Sequence, residues 1–394
     1  MRLIHTADWH LGRRLKGVDR TPEIEAALDE LLQQAKTLEV DAVLVAGDLF
    51  ETANPTTEAE RIAYRFFCGL QAAKIPAVVI AGNHDSAFRL DNVANLLSLA
   101  GVHALGKPRL AKQGGVITLE TANGKLCVGA MPFASEKRLL KADDLWSKDS
   151  GEQRQHYRDR VKSILQNLAN GFRDDSVNVL MAHLAIGSAQ LSQSERNFEC
   201  TGNYALSEGM LPVETQYIAL GHIHKPQSIQ AAVPTHYSGS LIQVDFGEAG
   251  EEKGFKLITI DTPGSPAKVE FKALNCQKPL KQIECKAAEL DEMLEAHREH
   301  PGWLKIRVEL ESPIQGLADR VKKICTQAIH IETCYLGSVE KRQARQAIDF
   351  AQFDPVQEFQ HYYRDRKNIA PSPALLDTFQ KLYTESTEAE HASH

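Results

Sequence analysis

Five short apolar segments within the first 224 residues each end abruptly in Asp, Asn or His. Apolar runs of this length are typical of buried β-strands, and folding alone gives no reason to end them in polar groups that need partners. We therefore predict that these polar residues form a site beyond the ends of the strands. In chain order they are Asp8 and His10; Asp48; Asn83, His84 and Asp85; His183; and His222 and His224.

The first 85 residues alternate between strand-like and helix-like patterns. Segments 1–7, 40–48 and 77–85 are typical of strands, and segments 21–38 and 54–71 have the periodicity of helices with one apolar face. This alternation predicts an α/β fold in which helices connect parallel strands and cover the sheet. Open α/β sheets bind ligands beyond the carboxyl ends of their strands, where the polar residues lie.

The rest of the chain divides into regions of different composition. From about residue 115 it is β-rich, with a charged stretch at 134–160 that we interpret as a solvated helical insertion. After a turn-rich segment at 261–268, residues 273–337 alternate helix, strand, helix and strand, which predicts a compact α/β unit. The last 55 or so residues contain short helices broken by "APSPA" and a polar end typical of disorder.

Composition and cysteine spacing argue against several classes of protein. The net charge of −7 gives no sign of nucleic-acid binding, so any basic surface must be local. Seven scattered cysteines without a CxxC pair indicate reduced thiols in a cytosolic protein rather than a disulfide framework or a zinc knuckle. The N-terminus lacks a signal-peptide pattern, and no run of about 18 apolar residues predicts a membrane span.

The polar strand ends include the donors of a divalent-metal site. The candidate ligands are four imidazoles, two carboxylates and one amide oxygen, without a thiolate, and this set suits manganese, iron or zinc. They are Asp8, His10, Asp48, Asn83, His183, His222 and His224. In extended backbone, residues two apart point to one side, so Asp8 and His10, and likewise the His-x-His pair, are expected to face a shared centre. Seven ligands exceed one tetrahedral site but suit two ions that share a carboxylate, for which we expect Asp48.

Structural roles compete with this interpretation. A single histidine at a strand end usually has a structural partner, and one Asp-x-His pair is weak evidence. Five polar ends on successive apolar strands are better explained by one shared site. Met131 and Phe133 are predicted to belong to the core, and His5 is predicted to be packed or to support a ligand.

The order of the motifs resembles that of the calcineurin-like metallophosphoesterases: Asp-x-His, Gly-Asp, Gly-Asn-His-Asp, His and Gly-His-x-His. The flanking segments "IHTADWHLGRRL", "VLVAGDLFETANP", "YIALGHIHKPQ" and "HYSGSLIQVDFGE" narrow the resemblance to the SbcD nucleases, the bacterial branch of a DNA double-strand-break repair family. The resemblance implies a β-sandwich nuclease domain flanked by helices (1–272), a small α/β capping domain that binds DNA (273–340) and a helical tail (341–394).

The family's ligand sets, carried over to this sequence, imply two divalent ions, and Mn²⁺ is the expected metal. One ion would be held by Asp8, His10, Asp48 and His224, and the second by Asp48, Asn83, His183 and His222. His84 matches the histidine that faces the scissile phosphate, where it stabilises developing charge or protonates the leaving oxygen. Asp85 is expected either to fix the tautomer of His84 or to cap the turn.

One position departs from the family pattern. In archaeal relatives a histidine follows the Gly-Asp-x-Phe segment and helps to shape exonuclease action, whereas this chain has Glu51. A carboxylate cannot act as a cation at neutral pH, so the family's account of this position does not carry over.

A basic loop directly follows the first motif. Near a phosphodiester site, such a loop would contact DNA phosphates without reading sequence. The alternative is a charged loop that is simply solvated. Its residues are Arg13, Arg14, Lys16 and Arg20.

The resemblance also implies partners. The tail segments 354–367 and 372–385 carry apolar residues at helical spacing, and in the family this tail docks an SbcC-like ATPase. Packing of the tail on this chain is the alternative. Segments 60–71 and 89–101 carry more apolar residues than one buried face requires, which fits either the family's homodimer or ordinary core packing.

The resemblance thus implies a manganese-dependent DNA nuclease, a double-strand exonuclease and single-strand or hairpin endonuclease. It would act with an SbcC-like ATPase on DNA ends, in repair and recombination, in the cytoplasm at the nucleoid. One alternative is a calcineurin-like phosphoesterase for a non-DNA phosphoester, against which the capping unit and tail argue. Another is an inactive binding scaffold of the same fold, against which the filled ligand positions argue.

Overall fold

The structure of the chain is a computed structural model. It describes residues 1–135, 139, 150–192, 205–275, 278–335, 356, 359–360, 362–364, 371–380 and 382. Residues 1–335 form one compact unit and residues 336–394 a second. None of the described helices is both long and apolar enough to cross a membrane.

Strands and helices alternate along the first unit. The strands are β1 (Arg2–Thr6), β2 (Arg14–Leu15), β3 (Val18–Asp19), β4 (Ala42–Val45), β5 (Ala77–Ile80), β6 (Val102–Leu105), β7 (Val116–Thr121), β8 (Gly124–Met131), β9 (Ser176–His183), β10 (Tyr217–Gly221), β11 (Gln227–Ile229), β12 (Thr235–Tyr237), β13 (Gly254–Thr259), β14 (Lys268–Ala273), β15 (Leu280–Lys286), β16 (Trp303–Leu310) and β17 (Ala328–Tyr335). The α-helices are α1 (Thr21–Thr37), α2 (Thr57–Ala72), α3 (Ala87–Ser98), α4 (Ser150–Ala169), α5 (Leu290–Ala296) and α6 (Leu317–Ile324).

Two six-stranded sheets form the main body. The first has the order β14-β13-β1-β4-β5-β6, in which β1, β4, β5 and β6 run parallel and β13 and β14 close one edge antiparallel. The second has the order β11-β12-β10-β9-β8-β7, with a parallel centre from β8 to β12. The turn-rich segment 261–268 connects β13 to β14 within the first sheet.

The sheets pack face to face, and helices cover both outer faces. Leu44 and Val78 of the first sheet meet Val128 and Met181 of the second in a fully buried layer. Helices α1, α2 and α3 cover the outside of the first sheet, and α4 covers the second. Both faces of β4 and β5 are buried, and these two strands are apolar throughout. The predicted α/β fold, a β-sandwich flanked by helices, is confirmed.

A smaller three-stranded sheet follows the sandwich. Strands β15, β16 and β17 run parallel, and with α5 and α6 they enclose a separate apolar core. Strand β15 was not predicted from the sequence, because only Leu280, Ile283 and Cys285 are buried in it, at irregular spacing. Both helices of this unit are short, with seven residues in α5 and eight in α6.

Hydrogen bonds attach this small sheet to the sandwich. Trp303 Nε1 donates to Glu23 Oε1 over 2.9 Å, and the backbone N–H of Leu280 donates to Gln243 Oε1 over 2.7 Å. Glu23 is also the partner of the buried Arg20. Leu280 and Trp303 also pack against Leu15 and Phe246, so the attachment combines apolar contacts with these hydrogen bonds.

In the second unit, residues 373–380 are helical, and the ring of Phe359 stacks on that of Phe379 with centroids 4.2 Å apart. The two predicted tail segments thus contact each other through aromatic residues. Much of segment 354–367, and residues 383–394, lie outside the described residues.

Candidate metal centre

The carboxyl ends of parallel strands from both sheets meet at one edge of the sandwich. This edge brings together all seven predicted metal ligands, of which six are buried and Asn83 is half-buried. In the first sheet they follow β1, β4 and β5, and in the second they end β9 or follow β10. The residues are Asp8, His10, Asp48, Asn83, His183, His222 and His224.

Donor atoms from the two sheets lie within a few ångströms of each other. His10 Nε2 is 3.1 Å from His224 Nε2, and Asp8 completes this group within 4.8 Å. Asp48 Oδ2 is 3.9 Å from His10 Nε2 and 3.5 Å from His183 Nε2. Asp48 therefore lies between two groups of donors, as expected of a shared ligand.

The second group surrounds the Asn83 side chain. Its Oδ1 atom is 2.9 Å from His183 Nε2 and 3.0 Å from His222 Nδ1. With the amide oriented so that Oδ1 faces both rings, three electron-pair donors converge on one point.

The backbone conformation at several of these ligands differs from the extended one expected from the sequence. Asp8, His10 and Asp48 have φ values of 52°, 51° and 51°, and His222 has 102°. These residues are not extended, and the expectation that Asp-x-His spacing works through a strand is wrong. The left-handed turns are held by backbone hydrogen bonds, including Asp8 N to Gly47 O at 3.0 Å. Such conformations cost energy and are concentrated at functional sites.

Two glycines allow the strand ends to approach closely. A Cβ atom at Gly47, where φ is +96°, would lie 2.2 Å from His183 Nδ1. A Cβ atom at Gly82 would lie 2.1 Å from Asp48 Oδ1. Side chains at these positions would therefore displace predicted ligands, which explains why Gly precedes Asp48 and Asn83.

Hydrogen bonds fix the tautomers of the histidine pair. His10 Nδ1 is 3.0 Å from Glu51 Oε2, and His224 Nδ1 is 2.9 Å from Glu248 Oε1. Since a carboxylate only accepts, each Nδ1 carries the proton and each Nε2 presents a lone pair. Two lone pairs 3.1 Å apart repel unless a cation or a shared proton lies between them. The donor set therefore fits a metal ion.

Charges at the site also favour a cation. Burial lowers the pKa of His183, but the carboxylates of Asp48 and Asp8 outweigh it and raise the pKa to about 9. Burial likewise disfavours ionised Asp48, yet His183 and His10 hold its pKa well below the usual range. Burial raises the pKa of Asp8. Without a cation, these carboxylates stabilise a proton on His183 in its place.

Comparison with known proteins supplies the family. A protein-family model described as calcineurin-like phosphoesterase matches residues 1–226. A second family model, described as type 5 capsule protein repressor C-terminal domain, matches residues 276–367. The chain is 33% identical to the SbcD subunit of nuclease SbcCD from Bacillus subtilis (strain 168), over 97% of each chain. It is 28% identical to the SbcD subunit of nuclease SbcCD from Escherichia coli (strain K12), over 88% of this chain and 87% of that one.

The chain belongs to the SbcD family. It is an SbcD-like nuclease, a hydrolytic enzyme of the divalent-metal phosphoesterase class.

In this SbcD-like chain, His84 lies beside the ligands, and the contacts of Asp85 decide between the two roles expected for it. His84 Nδ1 is 2.8 Å from the backbone oxygen of Glu51, so the ring is oriented by a carbonyl. The Asp85 carboxylate accepts hydrogen bonds from the backbone N–H groups of Leu49, Phe50 and Gly82. Fixing the tautomer of His84 is therefore not its role, and the alternative, capping the turn, agrees with these contacts.

The basic loop of the SbcD-like chain contains one residue that cannot contact DNA. Arg20 has no exposed surface, and its guanidinium binds Glu23 and the Gln243 backbone oxygen. The prediction that Arg20 contacts phosphate is corrected, because burial removes it from any DNA surface. Arg13 is partly exposed and paired with Glu51, whereas Arg14 and Lys16 are exposed.

Three supporting residues were missed or misjudged from the sequence. Glu248, which binds His224, lies in the quoted segment "HYSGSLIQVDFGE" but carried no spacing signal of its own. Glu51 was noted only as a departure from the family pattern, although its side chain contacts His10. Phe133 was assigned to the core, but its half-buried ring stacks on His222 at 6.2 Å and 25° and forms a wall of the site.

Proposed function

We propose that this chain is a manganese-dependent DNA nuclease that acts as a double-strand exonuclease and a single-strand or hairpin endonuclease. One observation carries the proposal. His10 Nε2 and His224 Nε2 face each other at 3.1 Å beside Asp8 and Asp48, with both tautomers fixed by carboxylates. This arrangement is unfavourable without a cation and suits a divalent one.

Two ions are the proposed cofactor, and Asp48 is the proposed shared ligand. The first would be held by Asp8, His10, Asp48 and His224, and the second by Asp48, Asn83, His183 and His222. Two divalent cations at these positions would supply Lewis acidity toward both the entering and the leaving oxygen of a phosphodiester. Nitrogen and carboxylate donors without thiolate support Mn²⁺, although this donor set also accepts iron or zinc.

His84 is the proposed catalytic residue that is not a ligand. Its Nδ1 donates to the Glu51 carbonyl, which leaves Nε2 for the substrate. The ring is half-buried, and its centroid is 4.8 Å from that of His10. From this position His84 would stabilise charge on a phosphate oxygen or deliver a proton to the leaving oxygen.

DNA and an SbcC-like ATPase are the proposed partners. Arg13, Arg14 and Lys16 lie in the loop after His10, where they would bind the phosphate backbone. The relatives are named as one subunit of a nuclease called SbcCD, which supports a second subunit. The apolar residues of the tail helices are the proposed docking surface for that second protein.

A homodimer is the proposed quaternary state. Along and just after α3, Phe88, Leu96 and Leu99 expose 61%, 68% and 82% of their surface. Large apolar side chains exposed on one helical region commonly mark an interface. We further propose the boundaries 1–272, 273–340 and 341–394 for the nuclease domain, the DNA-binding cap and the tail. The proposed location is the cytoplasm, at the nucleoid.

The His84→Gln variant tests the function. We expect it to bind Mn²⁺ as the unchanged chain does but to lose at least a hundredfold in nuclease turnover, because proton delivery and charge stabilisation contribute about 10²–10⁴-fold. Blunt, hairpin and single-stranded DNA are the substrates, with and without Mn²⁺.

An arylphosphate diester is the control that separates DNA cleavage from general phosphoesterase activity. A chain that hydrolyses the diester with Mn²⁺ but leaves all three DNA substrates intact would contradict the nuclease proposal. Full cleavage of DNA by the His84→Gln variant would contradict only the proposed role of His84 and not the nuclease proposal.

A further inference from the structure

Two histidines of the site are each backed by a carboxylate that is paired with a cation. His10 Nδ1 binds Glu51, and Arg13 Nη1 lies 2.8 Å from the other oxygen of Glu51. His224 Nδ1 binds Glu248, and Lys253 Nζ lies 2.8 Å from the other oxygen of Glu248. The chain thus repeats one arrangement, cation–carboxylate–imidazole, on both histidines of the first proposed ion position.

The histidines of the second proposed position have different surroundings. His183 Nδ1 donates to the backbone oxygen of Ala46 over 2.7 Å. His222 turns Nδ1 itself toward Asn83. A neutral carbonyl therefore supports His183, where a carboxylate supports each of His10 and His224.

The two backing carboxylates are held in place by further contacts. Glu248 has no exposed surface and also accepts from the Val244 N–H at 3.1 Å and the Ser240 hydroxyl at 3.3 Å. Burial disfavours its ionised form, but Lys253 and His224 hold its pKa below the usual range. The Glu51 side chain is 21% exposed, and His10 and Arg13 lower its pKa to about 2 against the effect of burial.

A carboxylate that accepts from the distal nitrogen of a ligating imidazole has two effects. It fixes the ring orientation and tautomer, and it makes the ligating nitrogen more basic. Loss of such a partner typically lowers metal affinity about 10–100-fold. Since both effects occur at His10 and His224, they act on the same ion.

We propose that Glu51 and Glu248 are positioning residues that raise the divalent-cation affinity of the position formed by Asp8, His10, Asp48 and His224. This inference rests on the proposed two-ion function. It also gives Glu51, which replaces the histidine of archaeal relatives, a role that a carboxylate can perform.

Calorimetric Mn²⁺ titration of the metal-free full-length chain tests the proposal, with electron paramagnetic resonance to count free Mn²⁺. The unchanged chain should bind two Mn²⁺ ions. Glu51→Gln and Glu248→Gln should each weaken one of the two sites about 10–100-fold. The other site should change less than about threefold, because the substituted carboxylates support His10 and His224.

Two control variants each remove a carboxylate that pairs with one of the same cations, Lys253 or Arg13, instead of the carboxylate that supports His224 or His10. Glu251→Gln removes a carboxylate that lies 2.9 Å from Lys253 and accepts from Ser192. Asp245→Asn removes one that lies 3.7 Å from Arg13 and accepts from the Gly247 N–H. Both controls should bind Mn²⁺ as the unchanged chain does. Thermal unfolding in EDTA checks each variant's fold, and the partly exposed Glu51 remains informative if the buried Glu248→Gln variant does not fold.

Two results would overturn the proposal. They are unaltered affinities in a folded Glu51→Gln variant, or equal losses in the variants and their controls. A chain that binds no Mn²⁺ would contradict the proposed two-ion function itself, and this inference with it. A chain that binds two ions while the variants change nothing would contradict only the role of the carboxylates.

Discussion

The guanidinium of Arg20 lies in the interior although the residue belongs to a basic loop. It is ion-paired with Glu23 at 2.6 Å, and Glu23 also accepts from Trp303 of the small three-stranded sheet. Arg14, by contrast, is exposed and bonds only the nearby Gly17 oxygen among its described contacts. Sequence could not separate them, because both are arginines in one charged segment and burial depends on residues more than 200 positions away.

Arg20→Gln should destabilise the folded state by about 3 kcal/mol, since it leaves a buried carboxylate without its partner. Urea unfolding measures the loss. Arg14→Gln should change the free energy of unfolding by less than about 0.5 kcal/mol. It should, however, weaken DNA binding and flatten its salt dependence. A stable Arg20→Gln variant with weakened DNA binding would contradict the structural role of Arg20.

His5 is a buried histidine that serves the fold. Nδ1 lies 2.9 Å from the Tyr217 hydroxyl, and Nε2 lies 3.1 Å from the Leu220 oxygen. Burial, with a smaller contribution from His236 and Lys256, lowers its pKa to about 3. The sequence-based expectation that His5 is packed agrees with these contacts.

Between the lowered pKa of His5 and the ordinary value of about 6.5, the unfolded chain binds a proton that the folded chain does not. Stability should therefore be lost as the pH falls through about 6.5. By about pH 5.5 this one group should cost about 1.4 kcal/mol relative to high pH.

Urea unfolding in EDTA at about pH 7.5 and about pH 5.5 measures this effect by comparison with His5→Gln, which lacks the titrating group. The difference in stability between the unchanged chain and the variant should shrink by about 1.4 kcal/mol on acidification. An unchanged difference would show that His5 titrates normally in the folded protein.

The ends of β1 and β4 show how much of the site the sequence predicts. Polar residues after apolar strands identified the edge of the sheet, because strand pairing places carboxyl ends together. The backbone between Thr6 and His10 was not predictable, since its left-handed turns depend on contacts with the 47–49 segment. For a similar reason Glu248 was missed, because its partner His224 lies 24 residues away, before strands β11 and β12.

Strand β15 shows that the assignment of a whole strand can also depend on residues distant in the sequence. Its seven residues alternate imperfectly and carry four exposed side chains, so its assignment depends on pairing with β16. Helices α1 and α2, with continuous apolar faces, were predictable without such partners.

Gly47 affects both the turn after β4 and the position of His183 in the metal site. Gly47→Ala should lower Mn²⁺ affinity at least about tenfold and destabilise the fold, because the new Cβ would meet His183 and φ is +96°. Gly124→Ala is the matched control, with φ of +109° and nothing within 4 Å of its Cβ. It should cost about 1–2 kcal/mol and leave Mn²⁺ affinity unchanged. Equal Mn²⁺ affinity in both variants would argue against the close approach at Gly47.

At the scale of the molecule, the site exists only where the two sheets meet. Neither sheet alone contains a complete ligand set for either proposed ion, since Asp8, His10, Asp48 and Asn83 belong to the first and His183, His222 and His224 to the second. The dry layer between the sheets, which includes Val78, Val128 and Val179, therefore fixes the distances between ligands. A close-packed interior of this kind resists small displacements.

The count and position of bound manganese test this account most directly. Crystals of the full-length chain in excess Mn²⁺, measured at the manganese absorption edge, should show two anomalous peaks about 3.5–4 Å apart, with Asp48 between them. A single peak, or peaks remote from the seven ligands, would contradict the account.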